Sequence, residues 1–324
     1  MSLASKNSAT RKLIIIACLF VITAGLKAAG TLLTPLLVSL FFSVLCVPPM
    51  NRLKKHGVPD GIAITLVVLG ATVIVIGITM IIGHSLAGFE HQLPAYRQSL
   101  DAQTADLFSW LQAKGVDFSS DDIASKFSAG SIFDLVKDVA AGLGNALSQI
   151  LLVLLTMIFM LVEASAFPRK LRMAMGNPDA DLKSWVAAMQ RVQKYVAIKA
   201  GVSLVTALLA TILTAAMGVD FPLLWGLIAF LFNFIPNIGS VIAALPPMLL
   251  ALVQYGAGSA LGVGVGYFFI NMVMGNMVEP RLMGQRLGLS TLVVFLSLIF
   301  WNWVWGPVGM VLSVPLTVIV KIIL

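Results

Sequence analysis

Three groups of residues carry the chemistry this chain could perform. Asn233, Pro236, Asn237, Gly239 and Ser240 fall in NFIPNIGSVIAALPPM, residues 233–248. Asn302, Trp305, Gly306, Pro307 and Gly309 fall in WNWVWGPVG, residues 301–309, and Glu279 and Arg281 fall in NMVEPR, residues 276–281. Asn and Ser bring uncharged donors and acceptors. Pro and Gly interrupt a helix and free its backbone N–H and C=O groups. Such a set suits a polar, uncharged solute. Glu279, a carboxylate at the end of an apolar tract, suits a proton or a small cation, because an intramembrane charge is costly and is usually retained for use. Its structural alternative is a salt bridge to Arg281 or Arg286.

Other chemistries are disfavoured. There is no nucleophile with a base at plausible spacing, no HExxH and no P-loop. The two cysteines, Cys18 and Cys46, lie in apolar segments and make neither a disulfide framework nor a zinc motif. His56, His84 and His91 lack ligand spacing. The expectation is therefore a non-enzyme without metal or cofactor. The formal charge of +7 does not imply nucleic acid, because the basic residues are spread along the chain without interleaved aromatics.

The elements that must position these residues are membrane helices. Of 324 residues 59% are hydrophobic and 11% are charged, with a mean hydropathy of +0.98. A soluble domain carries about 25% charged residues. Apolar stretches at Gly61–Gly83, Gly144–Val162, Ala200–Met217 and Leu261–Val278 approach or exceed the ~20 residues needed to cross a bilayer. Strands of alternating polarity are absent, which argues against an outer-membrane barrel. The run after Arg11 and Lys12 is read as a retained first helix, since no cleavage site follows it. Sixteen of the 21 Lys and Arg residues can be placed on one side, so the positive-inside rule puts both termini in the cytoplasm. The segment from about His84 to Gly142 then lies outside.

The expected organisation is all-α: a polytopic membrane protein with about 6 full membrane helices, two inverted re-entrant hairpins and an exposed helical arm. Residues 1–83 form N-terminal membrane helices, 84–142 an external amphipathic arm with Leu100, Leu107 and Leu111 on one face, and 143–163 a membrane helix. Residues 164–195 form a basic cytoplasmic connector, in which Glu163 can pair with the Arg169–Arg172 cluster. Residues 196–254 and 255–324 form repeats A and B, each a helix followed by an interrupted hairpin. The interrupted tracts Pro222–Gln254 and Leu289–Lys321 hold 33 residues each, break at PNIG and WGPVG, and place Pro246 or Pro315 about two turns after Gly239 or Gly309. Limbs of about 14 residues reach roughly 21 Å, short of a core about 30 Å thick. Matched Gly/Pro breaks in two oppositely directed repeats point to a transporter's binding site. Unwound backbone at membrane depth is tolerated only against protein or a water-filled cavity.

Gly258, Gly262 and Gly266 form a small-residue face for close helix packing. Trp301, Trp303 and Trp305 suit either a stacking surface for a sugar-like ligand or plain packing.

The segments FNFIPNIGSVIAALPP (232–247), NMVEPRLMG (276–284) and LSTLVVFLSLIFWNWVWGPVGMVLSVPL (289–316) resemble the autoinducer-2 exporter family, also called AI-2E or PerM-like. The likeness extends to LPAYRQSL (93–100) and TMIFMLVE (156–163) and over essentially the whole chain. The resemblance implies an inner-membrane exporter of autoinducer-2, a small, neutral, hydroxyl-rich furanone derivative, with a role in quorum sensing and biofilm formation. It also implies a homo-oligomer, as a pentamer. Other relatives are described as sodium or lithium/proton antiporters, so an antiporter using Glu279 is the competing expectation. A third is an oligomeric scaffold whose acidic arm recruits partners. Asn302 stands where close relatives often carry glycine, a departure that bears on its role as a ligand contact.

Overall fold

The computed structural model describes residues 3–113, 142, 149–164, 170, 173, 183–236, 238–283 and 290–323. Among these every regular element is helical: α1 (Leu3–Ala28), α2 (Gly30–Lys55), α3 (Asp60–Ala113), α4 (Ile150–Ala164), α5 (Lys183–Ala216), α6 (Pro222–Phe232), α7 (Ile238–Tyr255), α8 (Ala257–Val273), a π-helical turn (Met274–Val278), α9 (Glu279–Met283) and α10 (Thr291–Ile323). Six helical stretches are long and apolar enough to cross a membrane: Gly30–Lys55, Asp60–Leu100, Met189–Ala216, Ile238–Tyr255, Ala257–Met283 and Leu292–Lys321. Two of these belong to the interrupted tracts, while α1 falls outside the set and α4 is shorter. Apolar side chains along α3, among them Leu66, Leu69, Val73, Ile74 and Met80, are exposed, as expected of a surface whose solvent is hydrocarbon.

The chain divides into two compact units. Unit 1 comprises Met1–Arg52, Leu152–Val192 and Leu287–Leu324; unit 2 comprises Leu53–Leu151 and Gln193–Arg286. In unit 1, buried Ser39 donates to the Val153 carbonyl at 3.0 Å as well as to Pro35 in its own helix, fastening α2 to α4. Glu163, at the end of α4, pairs with Lys170 at 2.7 Å, a cation of the predicted basic cluster.

In unit 2, α5, α6, α7 and α8 pack with α3. Lipid is as apolar as the side chains, so close backbone approach and polar contacts must supply the affinity between helices. Gly226 of α6 sits against Thr211 and the Ala207 carbonyl of α5. Gly262 and Gly266 of α8 sit against Met217, in the turn just after α5, and Leu213 of α5, as their spacing predicts, whereas Gly258 faces open space.

α3 runs unbroken for 54 residues through the expected boundary at His84. Beyond that point Phe89, Tyr96 and Leu100 are buried in the core of unit 2. Leu107 and Leu111 fall where only the helical backbone is described. The one proline of this stretch, Pro94, is accommodated within the helix. The reason for docking is polar. The Tyr96 hydroxyl donates to Asp220 Oδ2 at 2.6 Å, Ser99 donates to the Val253 carbonyl at 2.6 Å and Gln103 to the same carbonyl at 2.9 Å. Gln254 also donates to Asp220 Oδ2, and the Asp220 N–H donates to Gln254 Oε1 at 3.3 Å. Tyr96→Phe removes a bond to an ionised acceptor and is expected to lower stability by about 1.5–3 kcal/mol. Thermal unfolding in detergent measures this; an unchanged melting temperature would mean the clasp holds nothing.

Candidate functional site

The first interrupted tract is a helical hairpin. Asp220 and Gln254, bonded to each other, bring its ends together, so the chain between them goes out and returns. The limbs are unequal, 11 residues in α6 and 18 in α7, rather than about 14 each. The shorter covers about 16 Å, half of a bilayer core. α6 ends where Pro236 can no longer donate to the ladder. The turn folds on itself: the N–H groups of Asn233, Phe234 and Ile235 donate to Ala229, Leu231 and Phe232, and those of Ile238 and Gly239 donate to Pro236 and Ile235. The expectation of unsatisfied donors at this tip is therefore corrected. The amides of Asn233, Phe234, Ile235, Ile238 and Gly239 are internally bonded, so what these residues still offer is side chains and the second lone pairs of their carbonyls. Asn233 is buried and donates to Ser203 Oγ of α5 at 2.8 Å. Pro236 and Ser240 are half-buried, Gly239 is buried, and Asn237 lies outside the described residues.

The second tract also turns back. α10 departs from helical geometry at Trp305 (φ −130°, ψ 18°) and Gly306 (φ 63°, ψ −148°), the latter a region open only to glycine. Trp301 Nε1 donates to Thr317 Oγ1 at 3.0 Å. On a straight helix those residues would stand about 24 Å apart. The two tips share one device: a Cβ on Gly239 would overlap the Phe232 carbonyl oxygen, and one on Gly309 the Trp301 carbonyl oxygen. Glycine at each position lets the returning limb cross against the outgoing backbone.

The tryptophans at the second tip are committed to packing. Trp301 and Trp305 stack at 4.9 Å, Trp305 Nε1 donates to the Leu26 carbonyl at 3.0 Å, and Lys27 lies 4.1 Å over the ring of Trp303. Asn302 and Pro307 are exposed and Gly306 is half-buried. Asn233, Pro236, Gly239, Ser240 and Glu279 thus belong to unit 2, and Asn302, Trp305, Gly306, Pro307 and Gly309 to unit 1.

Glu279 has a partner that sequence reasoning missed. Both its carboxylate oxygens accept from Lys199 Nζ of α5 at 2.8 Å, with side chains 16% and 5% exposed. Lys199 is a buried counter-charge, and exposed Arg281 is not the partner. Arg286 lies outside the described residues. α5 and α8 run antiparallel, with Gly262 beside Met217, Gly266 beside Leu213 and Glu279 beside Lys199. Along that register the π-helical turn falls opposite Ser203. A π turn inserts an extra residue into the helix and commonly marks functional positions. The ion pair, the Ser203–Asn233 bond and this helix defect therefore lie within about one turn of each other on α5. The missed signal was local: Lys199, Ser203 and Thr206 recur at steps of four and three, a polar stripe on one face of an apolar helix.

A hairpin whose tip bonds α5 beside a buried ion pair, in a chain of helices long and apolar enough to cross a membrane, marks a multi-pass helical membrane protein. The family model described as AI-2E family transporter matches residues 14–324, and the chain belongs to that family. It is 41% identical over 311 residues to the AI-2 transport protein TqsA of Escherichia coli K12, covering 96% of this chain and 90% of that one. It is 38% identical over 320 residues to a Haemophilus influenzae protein named "Putative transport protein", covering 97% and 92%. It is 25% identical over 328 residues to "Putative transport protein YueF" of Bacillus subtilis, covering 93% and 86%. These relatives are transport proteins, not enzymes.

Proposed function

We propose that this protein exports autoinducer-2 across the bacterial inner membrane as a secondary transporter, so contributing to quorum sensing and biofilm formation. The observation that carries the reading is its identity to an AI-2 transport protein along nearly the whole of both chains. The site chemistry agrees: Asn233, Ser203 and Ser240 bring no net charge to the first tip, which suits a neutral, hydroxyl-rich solute better than an ion. In this reading both termini are cytoplasmic, repeats A (196–254) and B (255–324) are inverted in the membrane, and each carries an interrupted hairpin with a polar tip. Asn302 and the backbone around Gly306, Pro307 and Gly309 are the polar groups that the tip of repeat B offers to solute. The family resemblance supports a homo-oligomer, with a pentamer as the expected state.

One observation favours a second reading. A carboxylate held by a lysine inside apolar helices is a place where a proton or sodium ion can compete for the same oxygens, as a sodium(lithium)/proton antiporter requires. Proteoliposomes separate the two. Labelled autoinducer-2 is expected to move, with or without an imposed proton or sodium gradient, and Glu279→Gln is expected to retain at least half of that flux in folded protein. No solute flux beside robust gradient-driven sodium movement, abolished by Glu279→Gln, would establish the antiporter instead.

A further inference from the structure

Five threonines of this protein share a bond that the buried Thr206 lacks. Inside a membrane helix a hydroxyl without a partner has no water to turn to, so it returns to the carbonyl four residues earlier. Thr65, Thr72, Thr79, Thr214 and Thr317 do this, at 2.7–2.9 Å from Gly61, Val68, Val75, Ala210 and Ser313. Thr206 does not. Its residue is 7% exposed, its hydroxyl is closed off from solvent, and it has no hydrogen-bond partner. The Val202 carbonyl stands four residues back, in the place of the acceptor those five threonines use, yet the Thr206 hydroxyl makes no bond to it.

The surroundings say what the hydroxyl serves. Thr206 lies one turn from Ser203, on the face of α5 that receives Asn233 from the hairpin tip. On the other side of Ser203 lies the Lys199–Glu279 pair. We infer that Thr206 is a solute-contacting residue, and that the binding site of unit 2 extends from the hairpin tip along the Ser203–Thr206 face of α5 to take a small neutral solute bearing vicinal hydroxyl or carbonyl oxygens. This rests on the proposed export of such a solute and adds the residues that recognise it. In the conformation described the tip closes the face, with Asn233 bonded to Ser203. Moving the tip away opens Ser203 and Thr206 together, and the solute replaces Asn233 as the partner of one and gives the other its first.

The chemistry makes opposite predictions for stability and transport. Valine matches threonine in shape and lacks only the hydroxyl. Removing an unsatisfied buried hydroxyl should leave the melting temperature unchanged or raise it, while losing one hydrogen bond to solute should weaken transport about three- to tenfold. Thr206→Ser keeps the hydroxyl and should transport autoinducer-2 like the parent. A Thr206→Val protein that transports at the parental rate would overturn the inference.

A second measurement does not depend on the identity of the solute. In a Cys18→Ala/Cys46→Ala background, Thr206→Cys in proteoliposomes should react with a small, positively charged methanethiosulfonate. Leu208→Cys, on an exposed apolar face, should not, because a thiol in lipid does not ionise. Equal, negligible reactivity at both positions would sink the inference even if export is real. Should the parent carry no autoinducer-2, the proposed export falls, and reactivity at position 206 decides alone whether this face is a water-accessible passage.

Discussion

Replacing Lys199 by alanine is expected to destabilise the protein by about 3–5 kcal/mol, because it strands the Glu279 carboxylate in a site with little water. The same substitution at an exposed pair would do far less. Lys170–Glu163 has side chains 61% and 47% exposed, and Lys54–Asp60 21% and 68%, and such pairs contribute about 0–1 kcal/mol. The Lys199–Glu279 side chains, 5% and 16% exposed, lack that screening. Most of the loss reflects an uncompensated charge rather than the worth of the pair. Lys199→Met combined with Glu279→Gln should therefore recover most of the melting temperature lost in Lys199→Ala. Thermal unfolding in detergent, on both single variants and the double variant, tests this. A double variant no more stable than Lys199→Ala would show that packing, not charge, dominates the site. If the pair is also a coupling site, the double variant restores the fold without restoring gradient dependence, which separates its structural part from its transport part.

The second large effect is expected at the hairpin tips. Gly239→Ala and Gly309→Ala each drive a methyl group into a backbone carbonyl of the outgoing limb. A flexible side chain could yield to such a clash; a carbonyl fixed in a helix cannot. Both variants should lose most of their folded yield from membranes, or unfold far below the parent. Gly306→Ala should do less, about 1–3 kcal/mol, since it meets no atom within 4 Å and suffers only from its positive φ of 63°. Gly258→Ala, in open space on α8, should be neutral or gain up to about 1 kcal/mol from helix propensity. Near-parental stability in Gly239→Ala would mean that the close crossing of the limbs is not what sets the hairpin.

The sequence by itself determined the class of this protein and the location of its breaks. Both follow from local physics. Runs of apolar residues near bilayer length can only be helices in lipid. Single prolines and glycines are tolerated inside these helices, as Pro94 and Pro246 are, but proline and glycine close together break one, so PNIG and WGPVG were legible as interruptions, and the matched glycines fell at the crossings they enable. The whole-chain resemblance, confirmed by the match over residues 14–324, rested on the same stretches.

Tertiary structure decided the partners. Glu279 pairs with a lysine 80 positions away, Asn233 with a serine 30 away, and Tyr96 with an aspartate 124 away. The polar stripe that Lys199 shares with Ser203 and Thr206 marks a face of α5, but nothing local names the partner that face meets. Lys199 became a buried counter-ion only because the antiparallel packing of α5 and α8 carries Glu279 to its level. The extent of α3 was settled in the same way: its sequence turns polar after His84 and carries Pro94 without the helix ending there, and docking to the ends of the hairpin keeps it packed. Breaks are written residue by residue, because they depend on what one backbone unit can do. Pairings depend on which faces meet, and that is fixed only when all the helices pack at once.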